Sequence, residues 1–309
     1  MSSRNTTIGI ALALTTAVFW GALPIAMKQA VEVMSPFTIV WYRFLTASIG
    51  LGLLLGFKKQ LPTRLIGGKG SVVILLLASI GLAGNFVLFN SALEYLHPPV
   101  VQVIIQLAPV ILLISSAWMF KEKLGVHQII GVGCLLLGLL LFFNERLLEL
   151  FTSFTGYTVG VSLAVLAALV WVVYGLAQKQ LLKHYSSAQI LFMIYVICAV
   201  MLTPMAEPEQ LLLMDSRQLG MLMFCCINTL VGYGAFAEAM ARWQASQVSA
   251  VITLAPLFTI IFVDLASLVW PQFFVAAPLN ILGYLGALVV VSGAMFCAIG
   301  HKFIRQRNV

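Results

Sequence analysis

Ten long apolar runs follow one another along this 309-residue sequence and dominate what it can fold into. Each is close to the roughly 20 residues that an α-helix needs to cross a bilayer. The runs cover residues 7–29, 36–56, 71–93, 98–119, 125–143, 157–179, 187–206, 218–240, 245–268 and 277–299. Only 9% of the residues are charged, against roughly 25% in soluble domains. The sequence therefore predicts an all-α membrane protein with ten transmembrane helices.

The basic residues of the connections predict how these helices are oriented. If the N-terminus is cytoplasmic, thirteen lysines and arginines fall on that side and three, Lys28, Arg146 and Arg217, on the other. Cytoplasmic loops carry an excess of basic residues, so both termini are expected inside the cell inner membrane. The net charge of +7 is spread over loops and tails. Such charges favour contact with membrane lipids, and no nucleic-acid partner is expected.

The two halves of the sequence resemble each other. A shift of 151 aligns residues 7–29 with 158–180 and gives nine identities in 23 positions, among them Trp20 with Trp171 and Lys28 with Lys179. A shift of 147 gives eight identities in 26 positions and aligns Pro109 with Pro256. Because five is an odd number of spans, the second copy enters the membrane from the opposite side. The sequence thus predicts two inverted five-helix repeats, a pattern typical of transporters.

Several motifs carry a family resemblance that extends over nearly the whole chain, twice. They are Trp20-Gly21, Tyr42-Arg43-Phe44, the run Phe89-Asn90-Ser91-Ala92-Leu93-Glu94-Tyr95-Leu96, then Gln106-Leu107-Ala108-Pro109, Lys121-Glu122-Lys123-Leu124, Ile130-Gly131 and Gly138. This pattern resembles the EamA-type repeat of the drug/metabolite transporter superfamily. One departure is that the second half has Trp270-Pro271-Gln272 where the first has Glu122.

The resemblance implies a domain organisation, a fold and a function. Residues 1–144 and 157–300 are expected to form the two five-helix repeats, joined by a periplasmic linker at 145–156 and followed by a basic cytoplasmic tail at 301–309. Helices 1, 3, 4, 6, 8 and 9 are expected to surround a central cavity. Family members export amino acids and other small metabolites.

Polar and aromatic residues near the middle of different spans are the candidate substrate-binding residues. They are Trp20, Asn85, Gln106, Trp171, Asn228 and Thr253, with Tyr174 and Tyr233 about a turn from the centre. An amide in hydrocarbon is costly unless it is hydrogen-bonded. The amides therefore either line the cavity or hold neighbouring helices together, and the tryptophans either bind substrate or pack.

Three prolines and three basic residues within the spans suggest moving or charged parts. Pro109, Pro256 and the unmatched Pro24 are candidate hinges, because proline removes a helical hydrogen bond; a static bend is the alternative. Lys28 and Lys179 are candidate gate charges, or they extend to the interface. Arg43 is expected to clamp a carbonyl or a carboxylate.

Missing groups narrow the possible functions. No Asp or Glu lies near the middle of a span, so zwitterions or neutral metabolites fit better than quaternary cations. The five cysteines form no CxxC pair and the four histidines fall at span edges, so no metal, cofactor or catalytic residue is expected. The sequence predicts a monomeric secondary transporter, most simply an exporter, of small molecules such as amino acids. The alternatives are a neutral-metabolite, nucleobase or drug permease and an integral membrane enzyme.

Overall fold

The structure, a computed structural model, describes residues 3–62, 68–120, 124–243 and 245–300. The basic tail at 301–309 and three residues of the family motif, Lys121, Glu122 and Lys123, lie outside the described residues.

The described residues fold almost entirely into α-helices. In chain order these are α1 (Ser3–Ala30), α2 (Pro36–Phe57), α3 (Gly68–Tyr95), α4 (Pro98–Ile104), α5 (Leu107–Phe120), α6 (Val126–Phe142), α7 (Leu147–Thr152), α8 (Gly156–Leu181), α9 (Ser187–Leu202), α10 (Ser216–Arg242), α11 (Ala245–Ile252), α12 (Ala255–Val269) and α13 (Ile281–Ile299). Two short 3₁₀ segments, Thr203–Met205 and Pro208–Leu213, connect α9 to α10.

Nine spans within the described ranges are long and apolar enough to cross a membrane, and Val126–Phe142 is a shorter apolar helix. The ten predicted runs therefore all correspond to apolar helical segments. The last one begins later than predicted, at Ile281 instead of residue 277, because Asn280 caps this helix: its side-chain oxygen accepts a hydrogen bond from the Gly283 amide over 2.7 Å. Side-chain caps of this kind satisfy amides that have no partner within the helix.

The fourth and ninth spans are each interrupted instead of forming one helix. The first interruption separates α4 from α5 at Ile105 and Gln106, and the second separates α11 from α12 at Thr253 and Leu254. Each lies just before a proline, Pro109 or Pro256. Because proline lacks the N–H that would bond to the carbonyl four residues earlier, the chain tightens there into a turn. Pro24 differs, since α1 is continuous through it.

The longest helices pack in antiparallel pairs. Along α3 and α8, Gly81 lies against Tyr174 and Leu96 against Gly160. The helix α1 packs in the same way on α10, α2 on α9 and α6 on α13. Where α6 meets α13, glycines on both helices bring the two backbones together. A Cβ added to Gly131 would lie 2.7 Å from the carbonyl oxygen of Gly293.

Candidate functional site

Aromatic side chains from several helices meet around Tyr233 of α10. The ring of Trp20 lies 5.2 Å from that of Tyr233, and the rings of Phe86 and Tyr195 lie 6.4 and 6.5 Å away. Trp20 also contacts Phe236 at 5.8 Å. Centroid distances in this range are typical of favourable aromatic pairs. Two predicted site residues, Trp20 and Tyr233, are thus brought into direct contact.

Asn228 lies five residues before Tyr233 on α10 and is completely buried. Its amide nitrogen donates to the Phe19 carbonyl of α1 over 2.6 Å, while its side-chain oxygen has no hydrogen-bond partner among the described residues. The neighbouring Gly232 leaves room for the indole, since a Cβ at that position would lie 2.7 Å from Trp20 Nε1. Asn228 therefore joins two helices and also keeps one buried acceptor unused beside Trp20.

Gln106 and Thr253 meet where the fourth and ninth spans are interrupted. The Gln106 amide nitrogen donates to the Thr253 carbonyl over 3.0 Å, and both residues are buried. This carbonyl lies in the turn before Pro256. The Thr253 hydroxyl donates to the Ala250 carbonyl within its own span over 2.7 Å. The two residues are 147 positions apart, the same shift that aligns the two halves of the sequence.

The remaining candidates lie along α3 and α8. The buried Asn85 donates to the Ala167 carbonyl over 2.9 Å. Trp171 packs near the buried Tyr174, with ring centroids 6.2 Å apart. All three predicted amides, Asn85, Gln106 and Asn228, thus donate to a backbone carbonyl of a facing span, as helix-joining amides do.

The predicted partners of Arg43, a carbonyl or a carboxylate, are wrong. The side chain is only 2% exposed, and its Nε donates over 3.0 Å to the hydroxyl of Thr229, not to a carbonyl or carboxylate. One terminal nitrogen lies 3.0 Å from the Met27 sulfur, and the guanidinium carbon lies 4.3 Å from the centre of the Phe86 ring. Helix α2 had been expected outside the cavity lining, yet Arg43 reaches the aromatic side chains around Tyr233.

The two candidate gate lysines occupy different environments. Lys28, in the last turn of α1, donates to the carbonyls of Leu93 and Glu94 near the end of α3. Lys179 is exposed in the last turn of α8. Lys28 thereby satisfies backbone acceptors that a helix end leaves without partners. A role in gating stays a prediction for both lysines.

A polar network that the sequence interpretation missed ties α1 to the start of α10. Arg217 donates to the side-chain oxygen of Gln29 and lies 3.8 Å from a Glu32 oxygen and 3.6 Å from an Asp215 oxygen. The nitrogen of Gln29 donates to Glu32 and to the Phe273 carbonyl, each over 3.1 Å. The repeated Lys-Gln pair at 28–29 and 179–180 was the available signal for this network.

Two cavities in the described part of the chain lie away from the eight predicted binding residues. One, of about 540 Å³, is an apolar groove between α1, α10 and α12 with Arg217 at its polar end. The other, of about 370 Å³, is lined by His97, Glu145, Arg146 and Tyr157 among others. Burial lowers the pKa of His97 below its ordinary value, and the positive charges of Lys28 and Arg146 lower it further.

These helices and their packing define a polytopic α-helical membrane protein made of two similar halves. The model of the EamA-like transporter family matches residues 7–144 and again residues 158–299, so the chain belongs to this family.

Named relatives agree with this assignment, and a solved structure has a similar fold. The chain is 58% identical to the "Uncharacterized inner membrane transporter YhbE" of Escherichia coli K12, over 96% of this chain and 92% of the relative. It is 48% identical to an "Uncharacterized transporter" of Haemophilus influenzae, over 97% and 98%. A "Probable amino-acid metabolite efflux pump" of Salmonella typhimurium is 20% identical over 96% and 97%. A solved structure described as "Crystal structure of protein" matches with a TM-score of 0.63 and 18% identity, over 97% and 99%.

Proposed function

We propose that this chain is a secondary transporter that exports small metabolites such as amino acids by alternating access. The proposal rests mainly on the contact between the interruptions of the fourth and ninth spans, where Gln106 donates to the Thr253 carbonyl over 3.0 Å. Discontinuous helices that meet near the bilayer midplane form the substrate site in many secondary transporters. The aromatic residues Trp20 and Tyr233 supply an apolar wall, and Asn228 supplies an unused acceptor.

The packing supports an inverted-repeat arrangement in this proposal. Equivalent helices of the two halves pack on each other, α2 on α9 and α6 on α13. The helices α2 and α9 run antiparallel. Trp41, near the start of α2, bonds to Thr203 just after the end of α9, and Gln189, near the start of α9, bonds to the Gln60 carbonyl just after the end of α2. Two equivalent helices that run antiparallel are what a second copy inserted from the opposite side would produce.

The proposed setting is the inner membrane, with both termini in the cytoplasm and the protein acting as a monomer. Relatives are named inner membrane transporters, and the basic residues favour cytoplasmic termini. The proposed partners are a small-molecule substrate and membrane lipids. A distant relative's name includes amino-acid metabolite efflux, which supports amino acids as the first substrates to test.

Counterflow into proteoliposomes tests the proposal. The purified protein is reconstituted with a panel of amino acids, nucleobases and cationic drugs, and saturable exchange of at least one amino acid is expected. Selective exchange of a nucleobase or drug would favour the permease alternative. Chemical conversion of a compound without flux would favour an enzyme. In the described residues no cluster of His, Cys, Asp or Glu suited to a metal is present.

Two amide variants test the site itself. Gln106→Ala and Asn228→Ala are expected to weaken binding roughly tenfold to a hundredfold, because a hydrogen bond to a charged group contributes about 1.5–3 kcal/mol. Trp171→Ala is expected to weaken the binding of aromatic or branched substrates more than the binding of small ones. Leu136→Ala, at an exposed position of α6, serves as the control. If both amide variants transport like wild type but melt earlier, they only join helices and the site lies elsewhere.

A further inference from the structure

Arg43 is a buried cation whose described partners are all uncharged. Its contacts are the Thr229 hydroxyl at 3.0 Å, the Met27 sulfur at 3.0 Å and the face of the Phe86 ring at 4.3 Å. A thioether is a weak acceptor, and a guanidinium has five N–H donors to place. These partners leave most of its hydrogen-bonding capacity unused, although the side chain is only 2% exposed.

No carboxylate in the described part of the chain pairs with this guanidinium. Two acids of the bundle are paired with other arginines: Glu32 contacts Arg217 at 3.8 Å, and Glu238 pairs with Arg242 at 2.9 Å. Arg43 lies seven residues after the start of α2, which places it roughly 10 Å along a helix that rises about 1.5 Å per residue. Arginines at such depths are normally paired, and an unpaired one indicates function.

The surrounding aromatic residues add further donors. The Tyr195 hydroxyl is buried and has no hydrogen-bond partner in the part of the chain that the structure describes, and the Tyr195 ring lies 6.5 Å from that of Tyr233. The ring of Phe44 lies 4.8 Å from Phe86 and 5.7 Å from Tyr195, which fixes the cluster around the guanidinium. The guanidinium and the Tyr195 hydroxyl thus both carry donors that have no acceptor among the described residues.

This donor-rich cluster continues directly into the candidate site. Tyr233 contacts the Trp20 ring at 5.2 Å, and Trp20 lies beside the unused oxygen of Asn228. If a substrate bound its anionic group to Arg43, its apolar part would therefore pack against Trp20 and Tyr233. The Asn228 oxygen is an acceptor available to a positively charged amino group of the same molecule.

We propose that Arg43 and the Tyr195 hydroxyl bind the carboxylate of the transported metabolite, so that the substrates are small carboxylates, amino acids among them. This inference rests on the proposed transport function. The planar guanidinium offers parallel N–H donors that match a carboxylate. The bound carboxylate supplies both the missing negative charge and the acceptor for Tyr195.

The sharpest variant is Tyr195→Phe, because it removes a hydroxyl that has no partner in the described structure while keeping the ring. The probes are L-leucine, L-phenylalanine and L-threonine, each compared with its own amide, which lacks the carboxylate. Wild-type protein is expected to bind and exchange the acids at least tenfold better than the amides. Tyr195→Phe is expected to raise the Kd for the acids about tenfold, since a bond to a charged group is lost, with an unchanged Tm.

Matched variants separate binding from folding. Tyr284→Phe makes the same change in α13, where the hydroxyl bonds to Asp264 at 3.2 Å, and should leave the Kd for every probe unchanged. Arg43→Lys keeps the positive charge but removes the planar guanidinium, and it should raise the Kd for the acids more than tenfold. Arg43→Gln should remove the preference for acids over amides; if it fails to fold, Tyr195→Phe still decides.

The outcomes distinguish this inference from the proposed function. If acids and amides are exchanged equally well, or Tyr195→Phe binds the acids like wild type, carboxylate binding at Arg43 is wrong while transport stands. If no acid or amide is bound or exchanged, while a compound without a carboxylate is, the inference also fails and the transport function holds. If nothing in either panel crosses the membrane, both are overturned.

Discussion

Single amide side chains inside the bundle are placed so that their donors meet backbone acceptors. Asn85, Gln106 and Asn228 each donate to a backbone carbonyl of another span. An unsatisfied amide or carbonyl in hydrocarbon costs several kcal/mol, by order of magnitude. Four buried side-chain atoms among the described residues have no hydrogen-bond partner: the Asn90 and Asn228 oxygens, Arg217 Nε and the Tyr195 hydroxyl. Two of them, on Asn228 and Tyr195, belong to the aromatic region around Tyr233.

The bond between Arg43 and Thr229 gives a prediction for stability. Thr229→Val keeps the shape of the side chain but removes the acceptor of Arg43 Nε. Because hydrogen bonds to charged groups contribute about 1.5–3 kcal/mol, we expect destabilisation of that order, measured as a lower Tm in detergent. The control is Thr15→Val, whose hydroxyl donates to the Ala11 carbonyl in its own helix. Equal effects of both changes would contradict the role of Thr229.

The environment of His97 gives a prediction for pH dependence. Burial lowers the pKa of His97 below its ordinary value of 6.5, as do Lys28 and Arg146. The unfolded chain therefore takes up this proton more readily than the folded protein, and stability falls as the pH drops below 6.5. Glu145, Arg146, Glu149 and Tyr157 line the same cavity. His97→Gln should flatten the decrease in Tm between pH 6.5 and 5. If Tm falls with pH as steeply in this variant as in wild type, His97 is not the group responsible.

At the scale of helices, glycine and proline have opposite effects on the bundle. Pro109 and Pro256 follow the interruptions of the fourth and ninth spans, where the backbone turns and Gln106 reaches the Thr253 carbonyl. Glycines instead allow close contact, as where Gly131 and Gly138 of α6 meet Gly293 and Gly286 of α13. Small residues let membrane helices approach until their backbones touch.

Two glycines of α6 predict opposite effects for the same substitution. A Cβ at Gly138 would lie 2.5 Å from the Val290 amide, whereas one at Gly133 would meet nothing within 4 Å. Gly138→Ala should destabilise by about 1–3 kcal/mol through overpacking. Gly133→Ala should stabilise by up to about 1 kcal/mol, because alanine is the better helix former. Thermal unfolding in detergent measures both, and shifts of the same sign would show that α6 and α13 pack differently.

At the scale of the whole molecule, each half supplies partners to the other. The pairs α1–α10, α3–α8, α2–α9 and α6–α13 each join helices from opposite halves. The backbone carbonyls that accept from Asn85, Gln106 and Asn228 accordingly belong to the other half of the chain. The candidate site combines Trp20 and Phe86 of the first half with Tyr233 and Asn228 of the second, which makes it a property of the assembled chain.

The predicted orientation is tested with reporter fusions. Because basic residues divide thirteen to three, fusions after Lys69 and after Val309 should report the cytoplasm, and one after Glu207 should report the periplasm. An alkaline phosphatase and a fluorescent protein provide opposite readouts at each site. A periplasmic C-terminus would mean an odd number of spans, which would contradict the ten-span topology and the inverted repeat proposed from it.

The sequence alone determined the positions of the spans and the resemblance between the halves, because hydropathy and residue identity are local properties that need no knowledge of neighbours. It also located the interruptions approximately, since proline removes a hydrogen bond wherever it stands in a helix. Only the tertiary structure decided the partners. Arg43 was expected to bind a carbonyl or carboxylate, yet it bonds to Thr229, 186 residues away. Tyr195 was not singled out, because one tyrosine in an apolar helix forms no pattern until packing places it beside Arg43 and Tyr233.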